Sequence, residues 1–240
     1  MKIAVTKGLI RPHQKIILEA VPESDVKEAL SFQWTFGDGT SASGRKVKHA
    51  FPDTAGTLSD GSGRFRVLLD ATGGSGHHTL VYVPVVVADA LRPAVSSAVG
   101  AAGIAYQYRG EMDDTTAPAG VANEVSLAAV PYGTMNYRVT FEGELDVPED
   151  GGYTFVLVAN EEAAIDIDGV RLIASGKPVA QVCGLAGMAA QAISGSAALA
   201  RGRHHLRIDE AHSTGEDDFK LLWQGPSFSL RPVAPDLLTH

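Results

Sequence analysis

The chain has 240 residues, 45% of them hydrophobic and 20% charged, enough for one large domain or two smaller ones with a proper core. Twenty basic residues against 28 acidic ones leave a net charge of −8 with no basic cluster, so the chain should repel a phosphate backbone and nucleic acid is excluded as a partner. No apolar run approaches the roughly 18 residues that cross a bilayer, and residues 1–7 lack a secretory apolar core.

In chain order, the first pattern is Phe32, Trp34 and Phe36 on one strand face with Gln33 and Thr35 on the other. Gly37-Asp38-Gly39 then predicts a tight turn. Phe65, Val67 and Leu69 oppose Arg64 and Arg66, and a Val-rich run follows from Thr79 to Val87. From Val87 to Gly103 small residues dominate around Pro93, which predicts a linker, or a short helix near Ala88 to Leu91.

Strand patterning resumes with Tyr137, Val139 and Phe141 against Arg138 and Thr140. Tyr153, Phe155 and Leu157 share one face while Val156 and Val158 fill the other, so this strand is apolar on both sides and belongs in the middle of a sheet. Ile165 and Ile167 alternate with Ala164 and Asp166, and Asp168-Gly169 predicts a type I′ hairpin into Val170 and Leu172. The Ala- and Gly-rich stretch Gly176 to Gly195 reads as a loose loop or a short helix. Leu206 and Ile208, then Phe219, Leu221 and Trp223, supply the last strands. Short runs with turn signals at regular spacing predict an all-β chain.

No catalytic constellation emerges. There is no Gly-x-Ser-x-Gly elbow, and Cys183, the single cysteine, lies among small residues where a buried, inert thiol is expected. The pairs His77-His78 and His204-His205 cannot chelate one ion, because strand neighbours point to opposite faces. Glu210, His212, Glu216, Asp217 and Asp218 read as a solvated hairpin loop, and Asp113-Asp114 as an exposed acidic pair. Trp34 and Trp223 sit in alternating runs and are assigned to cores.

Two resemblances stand on these residues. Phe32-Gln33-Trp34-Thr35-Phe36-Gly37-Asp38-Gly39-Thr40, followed by His49-Ala50-Phe51 and by Gly63 to Leu69, resembles the polycystic-kidney-disease (PKD) domain. That resemblance implies an immunoglobulin-like β-sandwich over residues 1–88, acting as a spacer or protein-binding arm on a secreted or surface protein. The second half is similar to the protective-antigen-type (PA-fourteen) domain. It carries Gly103 to Gly110, then Phe141-x-Gly143-x-Leu145 with Pro148, Gly152, Tyr153 and Phe155. The hairpin Ile165-Asp166-Ile167-Asp168-Gly169 follows, with Leu199, Gly202 and His205 as its Leu-x-x-Gly-x-His turn, and Phe219 to Trp223 with Gly225-Pro226 close the series. This implies a β-barrel-like sandwich over residues 103–240, joined by a linker at 89–102, that binds carbohydrate.

In sugar-binding members an Asp-Asp pair before the hairpin holds a calcium. This chain has Asn160-Glu161-Glu162 there, with each carboxylate one methylene further out. The expected carbohydrate-binding residues are therefore Asn160, Glu161 and Glu162, with Asp113 and Asp114 beside them, and Glu161 and Glu162 are the expected calcium ligands. The resulting expectation is a non-catalytic, lectin-like carbohydrate- or surface-binding piece of a larger extracellular or cell-surface protein, with a polysaccharide, glycoconjugate or surface protein as partner and its signal sequence upstream of this piece. The alternative is a structural spacer that docks other proteins and takes no small ligand.

Overall fold

The computed structural model describes residues 1–6, 8–22, 29–52, 64–95, 100–110, 119–129, 137–159, 162–174, 191–212 and 219–240. Among these the chain is built of strands, with single 3-10 turns at Leu127–Ala129 and Pro235–Leu237 and no α-helix. The predicted helix near Ala88 to Leu91 does not form. The chain folds as two compact units. One comprises Met1–Arg92 with Asp150–Tyr153 and Ser196–Leu199, and the other Pro93–Glu149, Thr154–Gly195 and Ala200–His240.

The first unit contains β1 (Lys2–Val5), β2 (Lys15–Val21), β3 (Leu30–Thr35), β4 (Ser41–Ser43), β5 (Lys46–Ala50), β6 (Arg64–Gly73) and β7 (His78–Val86). They form two sheets, ordered β1-β2-β5 and β4-β3-β6-β7. Alternation decides what each strand buries: Ile16, Leu18 and Ala20 of β2 face Trp34 of β3 and Phe65, Val67 and Leu69 of β6 in one core. Trp34 is 1% exposed, and its Nε1–H donates to the Gly44 carbonyl at 2.7 Å.

The predicted Gly37-Asp38-Gly39 turn is present, and Asp38 does more than turn the chain. Its Oδ1 accepts from the Thr40 backbone N–H (3.0 Å) and hydroxyl (2.6 Å), while its Oδ2 lies 2.7 Å from Nε2 of His49. The His49 ring stacks on Phe36 with centroids 3.8 Å apart, so one carboxylate ties the turn to β5 and to the core. Burial pushes the Asp38 carboxyl up, but the Thr40 bonds and His49 outweigh it and hold it below the usual carboxylate range. A lowered folded value means stability that is present above the unfolded value near 3.8 and lost as pH falls through the folded one. Asp38→Asn should therefore be less stable than the parent near neutrality, and its melting temperature should fall less between about pH 5 and pH 2. Parallel profiles for the two proteins would remove Asp38 from the acid response.

The second unit carries most of β8 (Ile104–Gly110), β9 (Ala119–Ala122), β10 (Tyr137–Val147), β11 (Gly151–Ala159), β12 (Glu162–Ile167), β13 (Val170–Ala174), β14 (Gln191–Leu199), β15 (Gly202–His212), β16 (Lys220–Gly225), β17 (Phe228–Pro232) and β18 (Leu238–Thr239). A seven-stranded sheet runs β13-β12-β15-β10-β8-β9, with β18 also on β10, and a four-stranded sheet runs β14-β11-β16-β17. Both sheets are open. Phe141 of β10 stacks on Phe219 beside β16 at 5.9 Å, and Phe155 of β11 lies 6.3 Å from Trp223 of β16.

As its apolar faces predict, β11 sits inside its sheet, between β14 and β16. The end of the Ala/Gly-rich stretch corrects the loop-or-helix expectation: Gln191 to Gly195 opens strand β14. Glycine is required at 195, because a Cβ there would collide with the Leu172 carbonyl. At the chain's other joint, Ala101 and His240 exchange backbone hydrogen bonds of 3.1 and 3.0 Å, and the Gly103 N–H donates to Leu238 at 2.9 Å.

Candidate functional site

Strand register brings five strand ends together on one edge of the seven-stranded sheet. Tyr137, which opens β10, lies opposite both Gly110, the last residue of β8, and His212, the last of β15. Glu162 opens β12 opposite Ala211, and Ala174 closes β13 opposite Ala164. Of the predicted site residues Glu162 is described. It is exposed, and its carboxylate lies 3.9 Å from the Arg138 guanidinium. Asn160, Glu161, Asp113 and Asp114 lie outside the described residues, as does Cys183.

Glu210 corrects the solvated-loop expectation: it is 1% exposed, on the inward face of β15 between Val139 and Ala163. Its position on the same face as Leu206 and Ile208 is the signal that was available, since Glu210 continues their alternation. Among the described residues, no three His, Cys, Asp or Glu side chains are grouped to hold a metal ion. The described residues therefore offer calcium one carboxylate of the predicted pair, next to a cation.

The outward face of the same sheet is a ladder of charge. Arg207 of β15 donates to Asp209 at 3.0 Å and to Glu142 of β10 at 3.3 Å, and Nε2 of His205 lies 3.2 Å from Glu142. Thr140 donates its hydroxyl to Asp209 at 2.7 Å, and Arg171 of β13 pairs with Asp166 of β12, its NH2 group at 3.0 Å. Burial raises the Asp209 carboxyl, but Arg207, Thr140 and Arg171 outweigh it, so Asp209 is held low; Arg207 and Arg171 are held above their ordinary value by Asp209 and Asp166. These are cross-strand pairs on a solvated face, each worth a fraction of a kcal/mol.

The hairpin itself is fixed from beneath. Asp168 and Gly169 have φ of 51° and 72°, the two positive values of a type I′ turn. The Asp168 N–H donates to the His205 carbonyl (2.8 Å), and its Oδ1 accepts from the His205 N–H (2.9 Å). Its Oδ2 meets Nδ1 of His204 at 2.7 Å, while Nε2 of that ring faces the Ala200 carbonyl at 2.8 Å. His204 is fully buried. The histidine that anchors the turn after Gly202 is thus His204; His205, which the resemblance assigned, points to the charged outer face. The sequence held the signal, because Leu199-x-x-Gly202-x-His is satisfied at 204.

The PA14 domain profile matches residues 107–232, and the PKD domain profile matches residues 2–85. No curated protein matches the chain. An anti-sigma factor domain-containing protein from Clostridium clariflavum is 15% identical over 97% of this chain and 89% of its own, with a TM-score of 0.48. A PA14 sugar-binding domain from an RTX adhesin is 12% identical over 58% of this chain and 99% of its own, with a TM-score of 0.46. The A domain of epithelial adhesin 9 from Candida glabrata, in complex with Galb1-4GlcNAc, is 10% identical over 62% of this chain and 94% of its own, with a TM-score of 0.48.

Proposed function

This chain belongs to the PA14 domain family, and from that premise we propose that it is a non-catalytic carbohydrate-binding module of an extracellular or cell-surface protein. The observation that supports this reading is the match over residues 107–232, more than half of the chain. The sheet edge at Gly110, Tyr137, Glu162 and His212 supports a ligand end there, because side chains from separate connections can converge on one ligand. Asn160, Glu161, Glu162, Asp113 and Asp114 supply it. Their carboxylates accept hydrogen bonds from sugar hydroxyls, and the Asn160 amide both donates and accepts. A calcium ion held by Glu161 and Glu162 belongs to the same proposal, although no hydrogen bond named above depends on it. The PKD unit acts as the spacer that carries the binding unit.

Glycan arrays and polysaccharide pull-downs with the full chain, with and without calcium, test this reading. Binding should appear in at least one condition and weaken by more than about tenfold in Glu161→Ala/Glu162→Ala, a loss near 1.4 kcal/mol. Blank arrays and pull-downs in both conditions reject it and leave both units as spacers. Calorimetry with calcium alone isolates the metal: heat accompanied by a raised melting temperature assigns an ion to the Glu pair, and silence in both removes it.

A further inference from the structure

We infer that the outward face of the three-stranded sheet β1-β2-β5 holds an anionic polysaccharide, a chain of uronic acid units. The inference rests on the carbohydrate-binding reading for its choice of a sugar polymer, and goes beyond that reading by giving the PKD unit a ligand of its own. The net charge of −8 is unevenly divided: residues 1–92 hold 11 basic and 9 acidic side chains, and residues 93–240 hold 9 and 19. Four of the chain's eight lysines, Lys2, Lys15, Lys46 and Lys48, are exposed on strands of this one sheet. No linear run announces them; strand pairing brings them together.

Alternation sets their direction. Ile3 and Val5 of β1, Ile16 and Leu18 of β2 and Val47 of β5 turn into the core, so the four lysines turn away from it. Register spreads them over successive rows of the sheet. Lys2 lies opposite Val21, Lys46 opposite Glu19, Lys48 opposite Ile17 and Lys15 opposite Ala50. Residues 21, 19, 17 and 15 are consecutive outward positions of β2, so each lysine has a row to itself, about 7 Å from the next along the strands, and the four span about 20 Å. Glu19 is the one acid that these strands turn outward, and it pairs with Lys46 at 3.2 Å. Lys2, Lys15 and Lys48 have no ion-pair partner among the described residues.

Three ammonium groups on separate rows are too widely spaced for one small anion, whereas a polymer with a charge on every unit can meet them all. The rest of the face fits a sugar chain. Ala4 and Ala50 keep it low between the lysines, and Ile17, 40% exposed, offers an apolar contact to the C–H face of a ring. Neither arginine nor an aromatic side chain projects outward from the three strands, so the face lacks the fork that grips phosphate and the platform on which bases stack. An extended acidic peptide is bound along a sheet edge through unpaired backbone groups, and a sheet face offers none.

Calorimetry on the full chain, with chelator present, tests the inference with a mannuronate hexamer. The comparison probes are its methyl ester, which has the same rings and no charge, a single-stranded DNA oligomer, polyglutamate, and phosphatidylserine vesicles. The hexamer should bind more tightly than every comparison probe and lose affinity as salt rises. Lys15→Gln/Lys48→Gln should weaken it by about tenfold, the upper end of what two exposed ion pairs supply, with the melting temperature unchanged. Lys220→Gln, in the second unit, should leave it unaltered.

No binding of the hexamer, equal binding of the ester, a double variant that binds like the parent, or tighter binding of DNA, polyglutamate or vesicles would each overturn the inference. If Glu161→Ala/Glu162→Ala weakens the hexamer and the lysine variant does not, the inference falls and the reading of the second unit holds. If the lysine variant alone weakens it and no glycan responds to the Glu pair, that reading falls and the inference stands.

Discussion

Replacing His204 by leucine is expected to destabilise the second unit by about 1–3 kcal/mol, the cost of taking a fully buried partner from the partly exposed Asp168 carboxylate and from the Ala200 carbonyl. Leucine fills similar space, so packing changes little, but the Asp168 carboxylate then faces an apolar side chain and the Ala200 carbonyl loses its donor. Asp168 still accepts from the His205 N–H, which keeps the turn in place while the charge beneath it stands uncompensated. Asp168→Asn should cost less, because asparagine tolerates a φ of 51° and still accepts that bond. A double-mutant cycle between the two positions should give a coupling of about 1–3 kcal/mol. The chain has two tryptophans, one in each unit, so Trp223 fluorescence in a Trp34→Phe background follows this transition separately. A loss below about 1 kcal/mol would mean that the pair is no better than a surface contact.

The second large effect belongs to the first unit. Trp34→Ala should cost about 3–5 kcal/mol through lost transfer energy and the cavity left behind. Trp34 is among the largest fully buried side chains, and its Nε1–H satisfies the Gly44 carbonyl where the chain leaves β4. Against a domain stability of about 5–15 kcal/mol, that loss should leave a sizeable unfolded fraction of this unit at physiological temperature. Trp34→Phe keeps most of the volume and gives up the hydrogen bond, so about 1–2 kcal/mol is expected. Calorimetric scans should show the first transition moving while the second stays in place. A shift of both together would mean that the units unfold as one.

Most of the strands were legible because period-two alternation is a direct imprint of a half-buried sheet. Phe65-Val67-Leu69 and Tyr137-Val139-Phe141 place their apolar side chains inward as written. The hairpin at Asp168-Gly169 was equally readable, because only a few residue types accept two positive φ values in succession. Strands rich in small residues were not: β9 and the first part of β14 each carry a single branched side chain, Val121 and Ile193, too few to show an alternation, and close packing at Gly120 and Gly195 is what selects glycine there. The candidate site was legible in part. Residue types pointed to an acidic corner near Glu162, but the burial of Glu210 and the fixing of Asp168 by His204 follow from which strand lies beside which. No local pattern carries that information, and the choice between two adjacent histidines depends on it.

The joint between residues 101–103 and 238–240 also determines how the second unit meets tension. The two segments run antiparallel, with Ala101 opposite His240 and Gly103 opposite Leu238. A pull applied at residue 100 and at residue 240 therefore reaches the ladder at its open end and breaks it one rung at a time. Shear would load all rungs at once and resist longer. The next rungs join β18 to Glu144 and Leu145, and Leu238, 1% exposed, is the first core side chain drawn out. Under stretch the unit should yield from its C-terminal strand at low force, while the eleven cross-strand pairs of β10 with β15 remain intact until that strand is gone.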